Sequence, residues 1–352
     1  MDCAAKLKEF TAEDLKACTN GFHQNNLIGA TQFGKLYRGQ IKLGFIGTDQ
    51  ARAVTEEVQF LTHPSINGHQ NLVKLIGYCC EKEVKAVVYD LNPWDTLHNL
   101  TVKGAFNYLN WVQRLNVVLQ FARLLEFLHN QDKPYLVLNI NSSHIMLDWV
   151  WTYCLSFSFR LFLQSAGFIL IIFFYFDFQD CRPKLFDFGH ITGGIIGEMT
   201  TLKKQIPISI GFVDPFFTAK GGSFWHTSCD VFSFGVILLG LIAKRGFEPE
   251  CAEKPHLGLD CLVQYWAKKE YKPNGSLVHR SLQEDWGYVD EDGLAMTELG
   301  MRCVEFFPRN RPTIKKAVEL LEGLLVFQRF GDARPNKREK TFHGIGNHAG
   351  GT

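Results

Sequence analysis

Residues 27–39, LIGATQFGKLYRG, set Gly29 and Gly34 in a stretch whose backbone N–H groups could close on an anion with no side chain between. Residues 184–189, KLFDFG, add the carboxylate of Asp187, which could hold one metal ion. Between them, residues 138–148, LNINSSHIMLD, carry two amides, Asn139 and Asn141, and the imidazole of His144. Taken alone, these three separate segments are weak signals for any one reaction.

The elements that must position these residues fall into two halves. The first ninety residues are dominated by a period-2 pattern, with short apolar runs at 26–28, 35–38, 72–78 and 84–89 that read as strands of one small sheet. Ala51, Val54, Val58 and Leu61 recur at helical spacing over 49–61, with Thr48 placed to cap the first turn. From Trp111 onward, helical periodicity governs 111–129, 229–243, 257–268, 293–306 and 313–329. The stretch 90–97, with Asn92-Pro93, reads as the hinge between the halves. The predicted class is α+β: a lead-in at 1–25, a small β-rich lobe at 26–91 and a larger helical lobe at 92–328. The Gly-, Asn- and Lys-rich tail at 329–352 reads as disordered.

A chain of 352 residues with 46% hydrophobic content can bury a full core. With 37 basic and 36 acidic residues the net charge is +1, so no global field favours nucleic acid or an anionic membrane. The 10 cysteines show neither zinc-ligand nor redox spacing, which points to a reducing cytoplasm. The start MDCAAKLKEF has no apolar signal region, and Asp2 stands where myristoylation requires glycine. Cys3 reads as a plain thiol before it reads as a palmitoylation site.

One stretch fits neither lobe. Residues 149–178 contain eight phenylalanines, and 161–176 carry no charge. The uncharged run falls short of the roughly 20 residues a membrane span needs, and Arg160 and Gln164 lie at or inside its boundary. The insert, at about 149–179, reads as translated intron, since T-rich non-coding DNA yields Phe, Leu, Ile, Ser, Tyr and Cys. An apolar loop packed on another protein is the alternative.

Motif order then brings in a family. LIGATQFGKLYRG resembles the glycine-rich loop of protein kinases, and LNINSSHIMLD, KLFDFG, GFVDPFF, CDVFSFGVILLGLIAKR and RNRPT follow in the order kinases require. NLVKLIGYCCE and VVYD sit where the later strands of the small lobe belong. Their wording, with FTAEDLKACTNGF near the start, resembles plant receptor-like kinases. LNINSSHIMLD, FDFGHITGGI and GFVDPFF are most similar to the ZRK group of cytoplasmic pseudokinases, which lack an ectodomain.

The resemblance implies a dismantled site. Alignment puts Asn139 at the catalytic aspartate, and an amide cannot accept the acceptor's proton at neutral pH. Asn141 replaces the loop lysine that contacts the transferring phosphate. His144 replaces the asparagine that binds the second magnesium, and imidazole suits a hard octahedral cation poorly. Thr31 replaces the middle glycine of the loop. Glu57 best matches the helix glutamate that pairs with the nucleotide-anchoring lysine. Only a short excursion after Arg38-Gly39 leads to it, too little for two full strands, and Lys42 comes too early.

Gly29, Gly34 and Asp187 remain as vestiges of nucleotide binding, Asp187 as a possible metal ligand or else a surface aspartate in a turn. Asp230 matches the helix aspartate that holds the catalytic loop. Arg311 matches the arginine that pairs with a glutamate, which is replaced here by Phe216, so Arg311 must find another acceptor or reach solvent. No cofactor is required on this reading, and binding of ATP and magnesium is weak.

The expectation is therefore a pseudokinase acting as adaptor or decoy in plant immune signalling. The resemblance implies an NLR immune receptor and receptor-like cytoplasmic kinases as partners, no nucleic acid, and membrane association that is peripheral or through partners. The expected location is the cytoplasm, extending to the inner face of the plasma membrane. The alternatives are a weakly active serine/threonine kinase that binds ATP, and a defective intron-retaining product.

Overall fold

The computed structural model describes residues 7–30, 34–39, 44–47, 51–91, 93–102, 109–138, 140–149, 181–188, 191–196, 210–219, 226–246 and 261–331. It has the α+β bilobal architecture. The small lobe is built on a six-stranded sheet of order β1-β5-β6-β4-β3-β2. Its strands are β1 Lys8–Glu9, β2 Leu27–Ala30, β3 Gly34–Tyr37, β4 Gly44–Gly47, β5 Lys74–Cys80 and β6 Lys85–Asp90. Alternate residues of β5 are buried, as a half-covered strand requires, whereas Ala86, Val87, Val88 and Tyr89 of β6 are all buried. Helix α2, Ala51–Thr62, packs on β5 and turns Val54, Phe60 and Leu61 into the core.

Two features of this lobe were absent from the sequence reading. Strand β4 exists: it pairs with β3 from Gly34↔Gly47 and with β6 from Gly44↔Val88. The excursion after Arg38-Gly39, expected to be too short for two full strands, holds one strand of four residues among its described residues. The lead-in is also ordered from residue 7. Strand β1 runs parallel to β5, and α1, Ala12–Cys18, carries a capping box between Thr11 and Asp14. Gly77 permits that parallel pairing, since a Cβ there would lie 2.0 Å from the Lys8 carbonyl oxygen. Phe10, Ala12 and Leu15 form a second small core with Cys79, Val84, Ala86 and Val88.

In the predicted hinge, β7, Pro93–Thr96, is a strand that pairs with β9, Ile145–Trp149, and α3, Leu97–Val102, follows it. The larger lobe carries the short β8, Tyr135–Leu136, and α5, Pro215–Ala219. It hangs on α4, Trp111–His129, opened by an Asn110–Gln113 capping box, and on α6, Thr227–Ala243, buried from Ser228 to Ala243. The helix Asp290–Cys303 packs on α6, and Ile314–Glu322 packs on α4. The helix expected over 293–306 ends at Cys303. The one expected over 313–329 is broken at Gly323, where Ile314–Glu322 gives way to Leu325–Gly331. Buried Asp292 is the physical reason: its carboxylate accepts from the N–H groups of Leu325 and Val326 (2.8 and 2.9 Å), which starts a new helix.

β9 pairs in turn with β10, Cys181–Leu185, in a continuous antiparallel register from Leu185↔Ile145 to Cys181↔Trp149. The insert therefore leaves and rejoins the fold at two directly opposed residues. Residues 150–180 themselves lie outside the described residues, as do Cys3, Thr31, Lys42, Thr48, Asn92, Asn139, Gly189 and the tail from 332. Among the described residues, no helix is long and apolar enough to cross a membrane.

Candidate functional site

The segment that carries the site residues, Val137 and Leu138 first, is held by α6. Asp230, on the first turn of that helix, is fully buried. Its carboxylate accepts from the N–H groups of Val137 and Leu138 (2.9 and 2.8 Å) and meets His129 Nε2 at 3.0 Å. Leu138 is held at φ 63°, a conformation that costs a side-chain-bearing residue energy and persists only when its surroundings fix it. Asp230 supplies that fixation, on a loop whose next residue is Asn139.

Beyond Asn139 the chain makes one tight turn over Ser142–His144, capped by the Asn141 side chain, whose Oδ1 accepts from Ser143 N at 2.7 Å. The turn drives His144 inward, to 1% exposure. Its Nε2 lies 3.5 Å from Asp187 Oδ2 and 3.2 Å from Asn141 Nδ2. Asp187 is 2% exposed, which corrects the alternative that it is a surface aspartate in a turn. The expected vestigial metal ligand therefore shares its pocket with an imidazole. These residues do not fit magnesium, which takes oxygen ligands in a near-ideal octahedron.

Glu57 reaches the same place from α2. It is 3% exposed and accepts a short hydrogen bond from the Tyr89 hydroxyl. Backbone N–H groups of Phe188 and Asp187 point at it as well. Burial, and then the neighbouring Asp187 charge, push its carboxyl up to about 8, so it is mostly protonated at neutral pH. Burial likewise pushes the Tyr89 hydroxyl up. A glutamate salt-bridged to a lysine would shift the other way. Strand β4 reads Gly-Phe-Ile-Gly and carries no lysine. Phe188, fully buried, packs on Phe60 of α2 at 4.8 Å between ring centroids. Asp187 is at φ 66°. Helix α2 is thus locked against the 186–188 segment by a neutral carboxyl and an aromatic contact.

Arg311 has found its acceptor. Its Nη1 and Nη2 donate to Asp214 Oδ2 and Oδ1 (2.5 and 2.7 Å), a bidentate pair with both side chains buried. The other N–H groups donate to the carbonyls of Glu305, Ser228 and Phe306, so all five guanidinium donors are used. Asp214 stands two residues before Phe216 in GFVDPFF. Freed from that pairing, Phe216 stacks edge-on against Phe306 and Phe307 at 5.7 and 6.2 Å.

The structure brings Glu57, Asp187, Asn141 and His144 into one buried cluster and puts Asp230 beneath its loop. Gly29 and Gly34 lie on β2 and β3, at the sheet edge farthest from β1. The Cβ position of Gly29 faces Thr96 at 3.5 Å. Three partners escaped the sequence reading: Tyr89, His129 and Asp214. Tyr89 and Asp214 lie inside quoted motifs, and the signal available was an uncapped hydroxyl or carboxylate beside a buried ionic group. His129 carried none.

The fold and the order of these elements define the class, the α+β bilobal protein-kinase fold. Within it, the chain is 28% identical over 340 residues to serine/threonine-protein kinase BIK1 of Arabidopsis thaliana, covering 90% of this chain and 76% of that one. It is also similar to two probable serine/threonine-protein kinases of the same plant. PBL18 is 28% identical over 339 residues, covering 90% of this chain and 77% of that one. PBL12 is 27% identical over 358 residues, covering 96% and 74%. No family model matches the chain.

Proposed function

We propose that this chain is a catalytically impaired member of the plant receptor-like kinase superfamily, nearest the ZRK group, that signals by binding other proteins. The observation that carries the reading is His144 Nε2 at 3.5 Å from the buried Asp187 carboxylate, where phosphoryl transfer needs oxygen-bound magnesium. Asn139 in place of the proton acceptor supports it, since a general base contributes typically about 10²- to 10⁴-fold. So does Glu57, bonded to Tyr89 and uncharged, with no lysine on β4 to anchor a nucleotide.

The architecture that survives is the part needed for shape. The Asp230 anchor, the Arg311–Asp214 pair and the α2 lock are all present without the groups that react. On this reading the chain is a cytoplasmic adaptor or decoy in plant immune signalling. An NLR receptor and receptor-like cytoplasmic kinases are its partners, and it reaches the plasma membrane through them.

The names of its relatives favour a second reading, a serine/threonine kinase of low activity. Co-expression in plant tissue with a panel of NLR receptors and receptor-like cytoplasmic kinases, followed by co-precipitation, separates the two. The adaptor reading expects stable complexes that persist when Asn139 is changed to alanine. Absence of any complex, or complexes lost with Asn139→Ala, contradicts it.

A further inference from the structure

Two helices of the larger lobe leave an apolar groove between them. Its floor is Met296 and Leu299 of the helix Asp290–Cys303, with Leu321 of Ile314–Glu322 and Leu324 just beyond it, all buried. On the rim Leu320 is 40% exposed, and Glu298 is exposed beside it. The groove holds about 100 Å³. A closed cavity of about 150 Å³ takes a whole benzene ring, so an open groove of this size takes one phenyl side chain. A leucine exposed over a buried apolar floor is surface that such a side chain would remove from water.

The chain itself supplies an occupant within reach. Leu324 lines the groove and leads directly into the last helix, Leu325–Gly331, which is about 10 Å long. Phe342 lies 11 residues beyond Gly331. Eleven residues reach about 36 Å when extended and span about 18 Å as a flexible chain. Both lengths exceed that of the helix, so the segment can turn back to the groove at an effective concentration of about millimolar.

Composition and charge select the same segment. Among residues 332–352, Phe342 and Ile345 are the only large apolar side chains. Just before them, residues 334–340 carry Arg334, Lys337, Arg338 and Lys340 against one acid, Glu339. The exposed face of Asp290–Cys303 has the opposite sign, with Asp290, Glu291 and Glu298 against Arg302.

We propose that residues 334–342 fold back on the larger lobe, with the Phe342 ring in the groove between Asp290–Cys303 and Ile314–Glu322 and the basic run along the acidic face. The docking holds whether the chain transfers phosphate or binds partners.

The test places 4-fluorophenylalanine at position 342 of the full chain and reads its fluorine resonance. With no other change in the chain, the resonance is expected to lie away from the position it takes in urea, and to stay there on dilution. Leu320→Arg puts a like charge on the rim, at an exposed position, and should return the resonance to the urea position. Ala295→Arg, exposed on the facing rim, should do the same, and circular dichroism shows that each variant is folded. Lys337→Glu together with Arg338→Glu should move the resonance part of the way. A resonance already at the urea position in the unmutated chain overturns the proposal. So does one that returns there on dilution, which identifies a second copy as the occupant, or one that neither Leu320→Arg nor Ala295→Arg moves.

Discussion

Changing Glu57 to glutamine tests the electrostatics of the cleft without altering its shape. In the folded chain the carboxyl titrates at about 8, against 4.5 for an unperturbed glutamate. Between those two values the unfolded chain has released a proton that the folded chain still holds, so stability falls as pH rises through this window and levels off above about 8. The full span corresponds to about 5 kcal/mol at about 1.4 kcal/mol per pKa unit. Glutamine has nothing to titrate. Its carbonyl can accept the Phe188 and Asp187 N–H groups, and its amide can donate to the Tyr89 oxygen.

The stability difference between Glu57→Gln and wild type should therefore shift in favour of the variant by about 4 kcal/mol from about pH 5 to about pH 8.5. Urea unfolding of both proteins across that range, followed by tryptophan fluorescence, measures it. A difference that stays flat with pH refutes the reasoning, because it would mean Glu57 is already ionised in the folded state. A shift of the opposite sign would mean that a cation is paired with it.

Breaking the buried Arg311–Asp214 pair with Asp214→Ala should destabilise the helical lobe by about 3–5 kcal/mol, since a guanidinium is left without its carboxylate. Thermal unfolding of Asp214→Ala and of the double variant with Arg311→Met checks this, and the double variant should recover part of the loss. Asp292→Ala removes a side-chain cap on Leu325–Gly331 and should cost about 0.5–2 kcal/mol, with early amide exchange confined to that helix. Replacing 150–180 with a two-residue Asn-Gly turn should leave the fold intact and raise its stability by about 2 kcal/mol, because Trp149 and Cys181 already face each other and a shorter loop costs less to close. A shortened chain that fails to fold would show that the insert takes part in the structure.

The long helices and most strands were legible because their burial follows the period of their own apolar residues, as in α4 and β5. Strand β4 was not, because Gly-Phe-Ile-Gly has no alternation to read and is held only by its neighbours on both sides. Strand β1 is two exposed residues whose pairing depends on a glycine far along the chain, Gly77, opposite Lys8. The break at Gly323 was hidden for a similar reason, since the cap comes from Asp292 in another helix.

At the site, motif spacing located Asp187, Asp230, Glu57 and Arg311, but spacing does not say what a side chain touches. That Asp187 is buried against His144, and that Glu57 is neutral, follow only from three segments meeting in space.

On the proposed function, phosphoryl transfer is lost while the shape that supported it remains. The most direct test is phosphate transfer from radiolabelled ATP, with magnesium, to the chain itself and to a generic protein acceptor. Wild type is compared with Asp187→Ala and with the double variant Asn139→Asp, His144→Asn. The wild-type chain should incorporate no more label than Asp187→Ala, and the double variant should be the first to rise above that floor. Robust wild-type incorporation that Asp187→Ala abolishes would contradict the account.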